Sequence, residues 1–179
     1  MLPLPLRSIA NGLTVSRAVA GLPLILALQF DHQALAWWLL LLAGLSDAAD
    51  GWLARRAGGG SSWGARLDPL TDKVLIAAPL LWLASSGTLP LWAVWLLLAR
   101  ELLISGWRAQ AADGAPASAA GKAKTILQFL SLLLLLWPPG WIGGSAMVTL
   151  GWWLFWPSLL MALSSAVAYL RIRSGSHQH

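Results

Sequence analysis

Between Asp47 and Asp72 the chain reads D-A-A-D-G-W-L-A-R, then eight residues, then G-A-R-L-D-P-L-T-D. Four carboxylates, Asp47, Asp50, Asp68 and Asp72, fall in two close pairs inside a chain that is 58% hydrophobic and only 11% charged. Asp47 and Asp50 are three residues apart and Asp68 and Asp72 four apart, and on a helix both intervals put side chains on one face. Two helix ends turned toward each other would gather all four acids around one point. Divalent cations stabilise such concentrated negative charge better than any other partner. Gly51, Ala54 and Gly64 leave room for a ligand to approach the backbone. Arg55 adds a fixed positive charge suited to phosphate. A lone Asp in an apolar helix reads most simply as an ion-pair partner or a proton relay. Four acids with an Arg and small residues describe a metal–phosphate site better.

The elements that must position these residues are apolar helices. A soluble domain carries about 25% charged residues, more than twice the share here. About 20 apolar residues span a bilayer, and six runs approach that length: 13–30, 34–57, 67–85, 89–110, 120–137 and 146–170. Turn-forming residues separate them: Asp31-His32, the Gly58–Ser62 run, Ser86-Gly87, Asp113-Gly114-Ala115-Pro116 and Pro138-Pro139-Gly140. The expected fold is all-α: a polytopic membrane bundle of six transmembrane helices in a single domain over 1–179, with residues 171–179 as a polar tail. The start of the chain lacks a cleavable signal layout and reads as retained.

The basic residues set an orientation. Arg7 and Arg17 lie near the start, and Arg55, Arg56, Arg66 and Lys73 surround the second connection. Arg100, Arg108, Lys122 and Lys124 flank the fourth, and Arg171 and Arg173 close the chain. With six spans all of these fall toward one side. The positive-inside rule then puts both termini and the aspartates on the cytoplasmic side. The net charge of +5 is thus a sidedness signal that favours anionic lipid heads over nucleic acid. Several of the 13 Trp residues, Trp37, Trp38, Trp137 and Trp141 among them, fall near span ends, where such rings anchor. The absence of cysteine removes disulfides, thiolate metal sites and a cysteine nucleophile.

The pattern D-x2-D-G-x2-A-R-x8-G-x3-D-x3-D resembles the signature of the CDP-alcohol phosphotransferases at every fixed position: Asp47, Asp50, Gly51, Ala54, Arg55, Gly64, Asp68 and Asp72. Asn11-Gly12-Leu13-Thr14 with Arg17, Leu67-Asp68-Pro69 with Lys73, Ala99-Arg100-Glu101 and Gly121-Lys122-Ala123-Lys124-Thr125 look like the bacterial phosphatidylglycerophosphate synthases among them. The likeness covers most of the chain from Asn11 to Trp137. It implies two divalent cations, Mg2+ or Mn2+, held by Asp47, Asp50, Asp68 and Asp72, with Asp72 also the general base. It further implies CDP contacts from Gly51, Ala54, Arg55 and Gly64, joined by Asn11, Thr14 and Ser61. For Asn11 and Thr14 a helix-capping role is an equal alternative; for Ser61 a flexible Gly/Ser loop is the plainer reading.

The reaction so implied transfers the phosphatidyl group of CDP-diacylglycerol to sn-glycerol 3-phosphate by direct displacement, releasing CMP. Arg17, Arg100, Arg108, Lys122 and Lys124 are the cations for the acceptor phosphate, and lipid headgroup contact is their simpler alternative. Glu101 is a partner for Arg100 or Arg108. The likeness also implies a homodimer in the inner (plasma) membrane of a bacterial-type cell, multi-pass, with the active site facing the cytoplasm. Within the family the rivals are cardiolipin synthase and the inositol phosphate or serine enzymes. Outside it, a cation transporter would place acids at mid-bilayer on several helices, and an inactive structural relative would keep the motif without turnover.

Overall fold

The computed structural model describes the backbone at 19–56, 64–110 and 119–175, and side chains at 19–46, 73–106 and 123–167. Asn11, Thr14, Arg17, Ser61, Asp113 and the end of the polar tail lie outside the described residues. All described regular structure is helical: α1 (Val19–Gln29), α2 (Gln33–Arg56), α3 (Gly64–Ser85), α4 (Leu91–Gln110), α5 (Ala119–Leu135) and α6 (Gly144–Gly175). These six coincide with the six apolar runs, with end shifts of a few residues. The start of the first run lies outside the described residues; among the other ends the largest shift is at the C-terminus, where α6 continues through Arg171 and Arg173 to Gly175, five residues beyond the apolar run. Pro157 sits inside α6 and withholds one backbone donor from it.

The turns follow local chemistry. Between α1 and α2 the chain reverses at Asp31, which has φ 60°; Asp tolerates this left-handed conformation better than most residues. Between α3 and α4, Gly87 adopts φ 74°, where a side chain would be strained.

The core runs the length of the bundle. Leu24 and Leu28 of α1, Leu40 of α2, Leu80 and Leu83 of α3, Leu97 of α4, Leu132 of α5 and Phe155 of α6 are all buried. The outer surface is apolar too. Leu22, Leu42, Leu81, Trp95, Leu103, Ile126 and Trp153 are exposed, so each of the six helices carries apolar side chains outside as well as inside. Helices apolar all round belong in lipid or in a large core. The segment Gly144–Val167 is long and apolar enough to cross a bilayer by length and composition.

With apolar faces everywhere, helix register depends on close approaches and a few polar contacts. Trp37 of α2 donates from Nε1 to the Leu133 carbonyl of α5 (2.9 Å). Its ring also meets Trp38, Trp137 and Trp141 edge-on. This aromatic group closes the end of the bundle where α2 begins and α5 ends. Between α5 and α6, the Ser131 hydroxyl donates to the Gly151 carbonyl (2.8 Å). A Cβ at Gly151 would lie 2.7 Å from the Leu135 backbone nitrogen, which cannot swing aside as a side chain can. Gly151→Ala is therefore expected to destabilise the protein by about 1–3 kcal/mol, read as a lowered thermal midpoint in detergent. An unchanged midpoint would mean that α5 and α6 do not pack this closely.

Candidate functional site

The four aspartates lie on the two helices that the spacing requires. Asp47 and Asp50 are one turn apart on α2, and Asp68 and Asp72 one turn apart on α3. Gly51, Ala54 and Arg55 follow on the last turns of α2, and Gly64 is the first residue of α3. The side chains of this stretch are outside the described residues, as are those of Arg108 on α4 and Lys122 on α5. The backbone placement and the purely oxygen donor set both fit a hard divalent cation.

The neighbouring helices bring both halves of this stretch to one part of α5. Phe129 of α5 lies against Gly44 of α2, three residues before Asp47. A Cβ there would run into the ring, so only glycine admits the ring at this depth. Lys73, the residue after Asp72, reaches Glu101 of α4 (Nζ to Oε2, 2.6 Å). Lys124 of α5 also bonds Glu101, through Oε1. Lys124 and Phe129 are separated by about 7 Å of helix rise. Gly44 in the middle of α2 thus meets α5 directly, and Lys73 in the middle of α3 is joined to the same stretch of α5 through Glu101 of α4.

Glu101 is the centre of a buried charge cluster. Its side chain is 5% exposed, and three cations surround it: Lys73, Arg100 and Lys124, with Lys124 equally buried. Arg100 donates from one terminal nitrogen to Glu101 Oε1 (2.9 Å). Its Nε donates to the Ala162 carbonyl (2.9 Å) and its other terminal nitrogen to the Ser165 hydroxyl (2.5 Å). One carboxylate thus ties α3, α4 and α5 together, and Arg100 adds α6. Three cations against one anion leave an excess of two positive charges among the described side chains. Such an excess favours an anionic ligand nearby.

Sequence reasoning paired Glu101 with Arg100 or Arg108. The Arg100 contact is present, but the Lys73 and Lys124 contacts cross between helices, and no one-dimensional spacing reveals them. Lys73, Glu101 and Lys124, with Thr125 and Gln128 of α5, line a small cleft whose walls also include Ile76 and Leu98. Gln128 was not singled out from the sequence. Its signal was there to find: an amide inside the apolar run Ile126-Leu127-Gln128-Phe129-Leu130.

Known proteins resemble the chain over most of its length. The model of a family described as CDP-alcohol phosphatidyltransferase matches residues 7–164. A Mycobacterium tuberculosis H37Rv protein named "Probable phosphatidylglycerophosphate synthase" is 38% identical over 139 residues, covering 73% of this chain and 66% of that protein. The CDP-diacylglycerol–glycerol-3-phosphate 3-phosphatidyltransferase of Rickettsia bellii is 33% identical over 136 residues, covering 72% and 75%. The CMP-forming cardiolipin synthase of Streptomyces coelicolor is 37% identical over 169 residues, covering 82% and 78%. The chain thus spans about two thirds of the length of the mycobacterial relative it matches.

The cluster makes its own prediction. Glu101→Gln removes the anion that faces three cations, and breaking a buried pair in this way costs about 3–5 kcal/mol. The thermal midpoint in detergent should fall accordingly, and Glu101→Asp should fall less because it keeps the charge. A Glu101→Gln protein as stable as the wild type would show that the cluster does not hold the helices.

Proposed function

The chain belongs to the CDP-alcohol phosphatidyltransferase family, and on that premise we propose that it transfers the phosphatidyl group of CDP-diacylglycerol to sn-glycerol 3-phosphate, giving phosphatidylglycerophosphate and CMP. One observation carries the proposal: the complete aspartate signature, divided between the end of α2 and the start of α3 within the family match.

In this reading Asp47, Asp50, Asp68 and Asp72 hold two divalent cations, Mg2+ or Mn2+. Bound there, the metals supply charge neutralisation for the diphosphate and stabilise the departing CMP. Arg55, Gly51, Ala54 and Gly64, with Asn11, Thr14 and Ser61, face the CDP moiety. The small residues admit it and Arg55 offsets its charge. The primary hydroxyl of the acceptor attacks the phosphorus that carries diacylglycerol. The bond from that phosphorus to the CMP phosphate breaks, and the hydroxyl proton passes to Asp72. A carboxylate is a weak base for an alcohol, so proton transfer accompanies attack. No covalent enzyme intermediate is required.

The acceptor carries its own phosphate and needs cations beyond those used for CDP. Lys122 and Lys124 on α5, Arg100 and Arg108 on α4, and Arg17 are the candidates. The positive excess around Glu101 supports this assignment. A second acceptor, phosphatidylglycerol, is favoured by the cardiolipin synthase likeness over 82% of the chain. The apolar outer faces of all six helices support a multi-pass protein of the inner (plasma) membrane of a bacterial-type cell. The one-sided basic residues support cytoplasmic termini and a cytoplasmic active site. A homodimer completes the proposal.

Purified protein supplied with CDP-diacylglycerol and Mg2+ or Mn2+ should release CMP when given glycerol 3-phosphate. Turnover with phosphatidylglycerol, serine or inositol phosphate but none with glycerol 3-phosphate would overturn the acceptor. Asp72→Asn should lower kcat by at least about 100-fold while nucleotide binding persists. A near-normal rate would remove Asp72 as the base.

A further inference from the structure

The three cations around Glu101 differ in what they can offer a ligand. The Lys124 side chain is 5% exposed, and the cleft it lines with Lys73 has a free volume of ≈ 10 Å³, room for about one water. A phosphate group cannot enter there. The Arg100 side chain is 13% exposed, and each of its three guanidinium nitrogens donates within the bundle: Nε to the Ala162 carbonyl, one terminal nitrogen to Glu101 and the other to the Ser165 hydroxyl. Arginine grips phosphate through paired parallel donors, and Arg100 turns its donors to α6 and to Glu101 instead. Lys73 is the most exposed of the three, at 22%. Its bond to Glu101 Oε2 uses one of the three donors of an ammonium.

The charges behind Lys73 add to its own. Glu101 offsets one of the two positive charges on Arg100 and Lys124, so the buried part of the cluster stays positive before Lys73 is counted. An anion that arrives from outside meets Lys73 first and feels the whole excess behind it. Fixed charges in a partly dry setting act more strongly than the same charges in water. The contact with Glu101 also restrains the Lys73 side chain, so less conformational freedom is lost when a ligand binds.

We propose that Lys73 is a phosphate-binding residue. Its ammonium, held by Glu101, donates to a phosphate group at the surface of the cluster, while Arg100 and Lys124 tie helices together and supply the field. The phosphate belongs to a phosphorylated acceptor or to a lipid headgroup; the chemistry is the same for both. The identity of the substrates rests on the reading above, and to it the proposal adds a cation on α3, the helix that carries Asp68 and Asp72.

Inorganic phosphate is the first probe, because it needs no turnover. Without divalent cations present, it should raise the thermal midpoint of the detergent-purified wild type. Lys73→Met should lose most of that rise yet still fold, since Glu101 keeps Arg100 and Lys124. Lys73→Arg should regain part of it. Ser165→Ala removes one contact of Arg100 and should lower the midpoint while keeping the response to phosphate. Kinetics then identify the source. With Lys73→Met, a KM for glycerol 3-phosphate at least about tenfold higher, with kcat little changed, assigns the acceptor's phosphate; the same rise for CDP-diacylglycerol assigns the lipid's. A wild type that does not respond to phosphate would overturn the proposal. So would an undiminished response in Lys73→Met, or an equal loss in Ser165→Ala. A wild type that responds to phosphate but does not turn over glycerol 3-phosphate would remove the acceptor reading and leave Lys73 as a phosphate site.

Discussion

The ion cluster around Glu101 is the constraint on which the site depends. The bundle is apolar inside and out, so hydrophobic burial alone gives its helices little reason to prefer one rotation over another. A buried carboxylate is different, because it must be paired and its partners must arrive at defined positions. Lys73 comes from α3, Arg100 from α4 itself and Lys124 from α5, and Arg100 continues to α6 through Ala162 and Ser165. Rotating α3 or α5 away would strand a charge. The cluster therefore fixes the face that α3 presents immediately after Asp72.

Close packing performs the matching task for α2. Gly44 admits the ring of Phe129 one turn before Asp47, so α2 is indexed to the stretch of α5 that Glu101 of α4 links to α3. At the other end, Trp37, Trp137 and Trp141 meet edge-on. One end of the bundle is closed by aromatic rings, and the other gathers the acids and the excess of cations.

The helices were legible because their signal is long and local. Six apolar runs broken by Gly, Pro and Asp turns give six helices, and the aspartate spacing places two acids on each of two of them. The ends were less legible. The C-terminal helix runs to Gly175 because hydropathy ends before helical geometry does, and Arg and Ile continue a helix readily. The least legible features were contacts between distant residues. Nothing in the spacing of Lys73, Glu101 and Lys124 announces that they meet, since that depends on the rotation of three helices. Gly44 and Gly151 read as ordinary small residues of apolar helices until the facing Phe129 and the Leu135 backbone are known.

The proposed chemistry makes one geometric demand: α2 and α3 must bring four carboxylates close enough together to hold two metal ions. Electron paramagnetic resonance of the detergent-purified protein titrated with Mn2+ in the presence of a CDP compound reads this directly. Two ions held together by the four aspartates would give an exchange-coupled dinuclear spectrum that appears at two equivalents of metal. Two independent six-line mononuclear signals, or saturation at a single ion, would show that the aspartates do not converge.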